Sequence, residues 1–229
     1  MRAELLSLAW LLATVGGYYL LKPLYRRRPR WWTSPLLTVP LLLLALGLLL
    51  GADYPAYIRD THWLVLMLGP ATVAFALPIH RHRRLIRAHW PALLAGVLGG
   101  SAVAMASAWG LATLCGLDDA VRRSLLPRSV TTPLAMLASA DLGGVPELTA
   151  LFVVITGVAG VALGELLLRA LPLRSALARG ALFGVGAHGA GTARAYDVGM
   201  QEGSVASLAM VLSGLLNVLL APALAHLLR

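Results

Sequence analysis

The sequence predicts an all-α, polytopic membrane protein, and three observations carry that prediction. Hydrophobic residues make up 59% of the 229, while Asp, Glu, Lys and Arg make up only 13%, about half the charged share of a soluble protein. The apolar residues arrive in runs such as Leu5 to Leu21, Leu36 to Leu50 and Leu151 to Leu168, each near the roughly 20 residues a helix needs to cross the hydrocarbon core. These runs are rich in Leu and Ala, which points to helices rather than barrel strands. The net charge of +9 collects in short segments between the runs, where Lys and Arg set orientation. Orientation thus accounts for the charge without a nucleic-acid partner. The single cysteine, Cys115, can form neither an internal disulfide nor a CxxC site.

About six continuous transmembrane helices are expected within one integral membrane domain, residues 1–229. Residues 1–90 form the N-terminal helices and residues 91–229 the core. The first run has Arg2 before it and Lys22, Arg26, Arg27, Arg28 and Arg30 after it, the reverse of a signal peptide's charge order. It reads as a retained helix with its C-terminal end in the cytoplasm. The second helix, about Ser34 to Leu50, delivers the loop Gly51 to Thr61, with Asp53 and Asp60, to the outside. The third, Trp63 to Ile79, returns inward, with a kink predicted at Gly69-Pro70. It stops at His80-Arg81-His82-Arg83-Arg84, with Arg87 and His89 just beyond. That cluster reads as a positive-inside anchor ahead of a metal or anionic-lipid site, because interspersed Arg repels a metal cation. The fourth helix, about Pro91 to Leu114, carries Gly96-x-x-x-Gly100, a packing motif compatible with a homo-oligomer face. It ends at Asp118 and Asp119 on the outside. Glu147 to Leu168 and Ser204 to Leu228 complete the continuous set.

Two segments depart from this pattern, residues 122–142 and 178–199. The first holds Pro127-Arg128-Ser129-Val130-Thr131-Thr132-Pro133, where two prolines flank polar residues and interrupt a helix. The second holds Gly184-Val185-Gly186-Ala187-His188-Gly189-Ala190-Gly191-Thr192-Ala193-Arg194, where glycines supply the interruption. Irregular backbone at membrane depth persists only inside protein or beside a water-filled cavity. Positive charge over Arg169 to Arg179 places that end of the intervening helix in the cytoplasm. The Pro127 segment then enters and leaves from outside and the Gly189 segment from inside, as in inverted-repeat transporters. Full crossing as discontinuous helices is the alternative reading. A short echo, Pro70-Ala71-Thr72-Val73 against Pro127-Arg128-Ser129-Val130, is weak support for repetition.

Arg128 and Arg194 are cations expected at membrane depth, where ionisable groups are functional candidates. Ser129, Thr131 and Thr132 add hydroxyl donors. Helix ends freed near Pro127 and Gly189 expose N–H groups that favour anions. His188 offers proton transfer or a plain hydrogen bond, and Thr192 lies one turn beyond it. Together Arg128, Ser129, Thr131, Thr132, His188, Thr192 and Arg194 suit a small carboxylate. The competing reading of each arginine is snorkelling, or pairing with Asp141, Glu147, Glu165 or Asp197. Asn217 and Ser213 read as bonds between helices rather than as cavity residues. No Ser-His-Asp order, HExxH, CxxC or Walker motif is present. Neither an enzyme, a cofactor nor a metal is expected.

Three motifs resemble the LrgB family of bacterial membrane proteins. They are Pro127 to Pro133, Gly143-Gly144-Val145-Pro146-x-Leu148-Thr149-Ala150, and Ala187-His188-Gly189-x-Gly191-Thr192-Ala193-Arg194-Ala195. Leu68-Gly69-Pro70-Ala71-Thr72-Val73-Ala74, Ser207-Leu208-Ala209-Met210 and Leu219-Leu220-Ala221-Pro222 extend the likeness. Family members more often carry Lys at position 128, Ile or Leu at 190 and Glu at 197, so charge character is kept. The resemblance implies a multi-pass protein of the bacterial cytoplasmic membrane, working with a small LrgA-like membrane protein. It also implies one of two activities. One is transport of small monocarboxylates of the pyruvate, glycolate or glycerate type; the other is antiholin-like regulation of murein hydrolases and autolysis. The paired polar breaks favour transport by alternating access, coupled to H⁺ or Na⁺.

Overall fold

A computed structural model describes all residues except 1, 28–30, 53–56, 58–60, 62, 65, 75 and 229. Arg28 and Arg30 of the first basic cluster, and Asp53 and Asp60 of the expected outer loop, therefore lie outside the described residues. The chain divides into two compact units, residues 1–71 and 72–229. Every described element is helical.

In the first unit, α1 (Arg2–Arg27) runs past the apolar stretch into Arg26 and Arg27, cations that favour a helix C-terminus. A short 3₁₀ turn at Trp31–Thr33 leads into α2 (Pro35–Leu50). Trp10 is buried edge-on against Tyr57 at 5.3 Å, and the Thr14 and Tyr57 hydroxyls lie 3.3 Å apart. The Lys22 ammonium sits 5.3 and 5.9 Å from the Tyr18 and Tyr19 ring centres, a pairing suited to a headgroup-level belt.

The expected third helix is interrupted. A turn at Met67 precedes α3 (Leu68–Ala74), which is followed by α4 (Ala76–Arg81). Pro70 cannot donate to the carbonyl four residues back, so the interruption falls one turn before it. After a turn at His82 comes α5 (Arg83–Leu114), bent at His89, where φ is −129° and ψ 21°. Pro91, two residues on, causes that bend in the same way. The remaining helices are α6 (Asp119–Leu125), α7 (Thr132–Leu142), α8 (Pro146–Ala170), α9 (Ala176–Val198) and α10 (Met200–Leu227). Of these, α5, α8 and α10 are long and apolar enough to cross a membrane.

The second unit has an apolar core, with Phe183, Leu142 and Leu208 fully buried, but it also buries polar side chains and exposes many large apolar ones. Asn217, Ser124, Ser139 and Thr149 are fully buried, whereas Leu163, Leu166 and Leu219 are more than half exposed. Large apolar residues on the outside, with polar residues kept inside where they are hydrogen-bonded, are what a hydrocarbon solvent selects. Asn217 Nδ2 donates to Ser101 Oγ at 3.1 Å and to the Ser213 carbonyl at 2.8 Å, so it ties α10 to α5 as its sequence context suggests.

The two interrupted segments are hairpins. Between α6 and α7 the chain turns over residues 126–131 and comes back to its starting level. There Arg123 Nη1 donates to the Leu142 carbonyl at 3.0 Å and Val145 N donates to Ser124 Oγ at 2.8 Å. Gly143, in a left-handed conformation at φ 77°, ends α7 at this mouth. The Thr149 hydroxyl, one turn into α8, lies 2.7 Å from Ser139 Oγ and 3.0 Å from the Ser124 carbonyl. Replacing Ser124 with Ala leaves the Val145 N–H unpaired. An expected cost of about 1–2 kcal/mol should be visible as a lower melting temperature in detergent.

The second hairpin lies within α9. Ala187 and His188 leave helical geometry, His188 with φ 38° and ψ −123°. Beyond them the backbone doubles back. A Cβ placed on Gly191 would collide with the Phe183 carbonyl and the Ala187 methyl, although residues eight apart in a straight helix are separated by about 12 Å. At the mouth of this hairpin, Arg179 bonds Glu202 Oε1 through Nη2 at 2.6 Å and Nε at 3.0 Å. The first hairpin opens at the N-terminal end of α8. The second opens beside its C-terminal end, where Arg194 pairs with Glu165.

Candidate functional site

Both hairpin tips come to the middle of α8. Val130 of the first tip packs with Leu134, Ala135 and Val153, and Arg128 Nη1 lies 3.4 Å from Thr156 Oγ1. From the second tip, His188 Nε2 donates to the Val153 carbonyl at 3.0 Å. The ring can approach because position 157 is glycine; a Cβ there would lie 2.8 Å from His188 Cε1. With α8 about 37 Å long, residues 153–157 sit near its midpoint. Arg128 and His188 therefore converge within one turn of one helix.

The electrostatics of this region favour an anion. Among the described residues no carboxylate pairs with Arg128, whose guanidinium meets the Thr156 hydroxyl instead. Thr131 precedes the first turn of α7 with no side-chain cap. The N–H groups of Thr132 and Leu134 belong to the unpaired first turn of α7, so that helix points its positive end at the tip. The return strand of the second hairpin begins at Gly189 and presents a second helix start near His188. Half-helix starts near the membrane midplane are the arrangement by which transporters hold anionic groups.

The other expected residues occupy distinct positions. Ser129 is buried at the first tip. Thr131 and Thr132 sit at the start of α7. Thr192 donates to Met210 Sδ at 3.6 Å, so its hydroxyl faces α10. Arg194 stands farther back, with Nε 2.9 Å from Glu165 and Nη1 3.6 Å from Asp197. Its charge is compensated, and Glu165 lies two turns along α8 from Gly157.

Two participants were not singled out from the sequence, Thr156 and Gly157. The signal for Gly157 was its place on the buried face of α8, with Thr149, Val153, Val161 and Gly164; Thr156 lies beside that face and carried no signal of its own. The spacing of three to four residues between the buried positions marks one helix face. The same face carries Gly160, whose missing Cβ leaves room for the Gly186 carbonyl and Ala187. The Gly96 and Gly100 pair behaves unevenly: Gly100 faces Val185, while nothing lies within 4 Å of a Cβ on Gly96.

Comparison with known proteins agrees with this arrangement of motifs. The LrgB-like family profile matches residues 14–227. The Bacillus subtilis (strain 168) protein named "Uncharacterized protein YwbG" is 38% identical over 212 residues, covering 93% of this chain and 94% of the relative. "Holin-like protein CidB" of Staphylococcus aureus strain Mu50 is 30% identical over 218 residues, 95% of each chain. "Antiholin-like protein LrgB" of Bacillus subtilis (strain 168) is 31% identical over 189 residues, 82% of each. No solved structure matches the chain. The profile covers both hairpins and the helix between them, and so the chain belongs to the LrgB-like family.

Proposed function

We propose that this chain is an antiholin-like protein of the bacterial cytoplasmic membrane, and that the act its core performs is passage of a small monocarboxylate. The two halves rest on different grounds. The names of the relatives, holin-like for CidB and antiholin-like for LrgB, place them in the holin and antiholin class and so favour the antiholin-like half, a role in regulating murein hydrolase activity and autolysis; they say nothing of transport. The transport half is supported by one observation, the convergence on residues 153–157 of His188 and of Arg128, which meets no carboxylate among the described residues, from opposed hairpins. A regulator acting only through its surface has no need of a half-buried cation at membrane depth, where a charge is costly unless a ligand compensates it.

In this reading the substrate carboxylate, of pyruvate, glycolate or glycerate, meets Arg128, the start of α7 and the hydroxyls of Ser129, Thr131 and Thr132. His188 and Thr192 close the site from the second hairpin. Alternating access comes from movement of one hairpin against α8, coupled to H⁺ or Na⁺. Several crossings, a homo-oligomer and a small LrgA-like membrane partner belong to the same proposal.

Purified chain in proteoliposomes, offered labelled pyruvate, glycolate and glycerate, separates the halves. Saturable uptake above empty vesicles supports transport. Uptake equal to empty vesicles, together with altered autolysis on deletion or overexpression in cells, leaves the antiholin-like half standing alone.

A further inference from the structure

The basic cluster at the junction of α4 and α5 has a feature that orientation alone does not require. A cavity of about 380 Å³ lies there, lined by Ala76, Ile79, His80, Arg83, Ile86 and Arg87. Its lining combines the aliphatic Ala76, Ile79 and Ile86 with His80, Arg83 and Arg87. Arg83 and Arg87 are one helical turn apart on α5, so both guanidinium groups reach the same side. Arg83 Nη1 lies 3.0 Å from His80 Nε2, with the guanidinium as the donor.

Among the described residues the positive charge here, on Arg81, Arg83, Arg84 and Arg87, has no carboxylate partner. Residues 61–117 contain no Asp or Glu. By contrast, Arg122, Arg123, Arg179 and Arg194 all have carboxylate partners. Trp90, three residues past Arg87, is 58% exposed, and an exposed Trp beside arginines marks the headgroup level of a bilayer.

We propose that this cavity seats an anionic phospholipid, with its phosphate on Arg83 and Arg87 and the start of its acyl chain over Ala76, Ile79 and Ile86. Planar guanidinium forks match phosphate oxygens, and a basic pocket between helices at the cytoplasmic side is the setting in which anionic headgroups bind. The aliphatic share of the lining, Ala76, Ile79 and Ile86, favours a lipid over free phosphate, which would leave those side chains wetted. Arg81 and Arg84 do not line the cavity, so they carry orientation while Arg83 and Arg87 carry the lipid.

The full chain in neutral detergent, titrated with phosphatidylglycerol, cardiolipin, phosphatidylcholine or inorganic phosphate, tests this by native mass spectrometry and thermal shift. Phosphatidylglycerol or cardiolipin should stay bound and raise the melting temperature, while phosphatidylcholine and phosphate do neither. The double variant Arg83→Ala/Arg87→Ala should lose anionic-lipid affinity by about tenfold or more. Arg81→Ala/Arg84→Ala, which removes the same charge, should stay within about threefold of wild type. Equal losses in the two double variants would reduce the cluster to a diffuse charge effect and overturn the seat. Equal binding of phosphatidylcholine, or equal stabilisation by inorganic phosphate, would overturn the choice of ligand.

Discussion

Arg128→Leu is expected to lower carboxylate uptake by about tenfold to a hundredfold, the loss corresponding to one charge-assisted hydrogen-bonded contact, while leaving the protein as stable as wild type or slightly more so. The two signs follow from one fact. Arg128 is half-buried, and among the described residues no carboxylate compensates it, so removing it relieves a desolvation cost and breaks no ion pair. Thr156→Val, which removes only the hydroxyl 3.4 Å from Arg128, should give a smaller loss of uptake. Arg194→Leu is the contrasting variant. It strips Glu165 of a partner 2.9 Å away, so its effect should appear first in melting temperature, damped because both side chains are about a quarter exposed. Uptake unchanged in Arg128→Leu, measured in proteoliposomes beside wild type, would remove the anion site from the central tips.

Gly184→Val should be the most damaging single substitution at a helix contact. A Cβ at position 184 meets the backbone of Ala206, its carbonyl oxygen and its Cα, and backbone cannot move aside as a flexible side chain does. Overpacking costs about 1–3 kcal/mol and more where backbone must shift. The α9–α10 pair is the most extensive helix contact in the chain. The expected outcome is poor yield and a melting temperature well below wild type. Gly186→Ala is the internal control, since nothing lies within 4 Å of its Cβ and its melting temperature should barely move. If the two variants melt together, the close approach of α9 and α10 is not what holds the second hairpin.

Much of this was legible before any coordinates. Leu-rich runs declared the long helices, because length and apolarity alone decide whether a segment suits a bilayer. The prolines at 127 and 133 and the glycines from 184 to 191 declared where helices fail, because proline lacks a donor and glycine tolerates the resulting turn. Boundaries were less legible. Residues 83–90 were expected as a loop and are the start of α5, since arginine is a good helix former and a charged helix end is stable in water. The kink predicted from Gly69-Pro70 is accompanied by a turn at Met67, because proline disturbs the turn preceding it.

By itself the sequence determined the solvent this protein is built for, its helices, its two interruptions and the charged residues nearest them. All of these follow from local chemistry: hydropathy, backbone donors and rotational freedom. Only the tertiary structure decided that both interrupted segments double back and that their tips meet at Val153, Thr156 and Gly157. It also decided that Arg194 is neutralised by Glu165 while Arg128 finds no acid among the described residues. Partners 28 to 35 residues apart, Arg128 with Thr156 and His188 with Val153, are chosen by helix packing against α8. That choice depends on which faces can approach closely in three dimensions, and no periodicity along one segment encodes it.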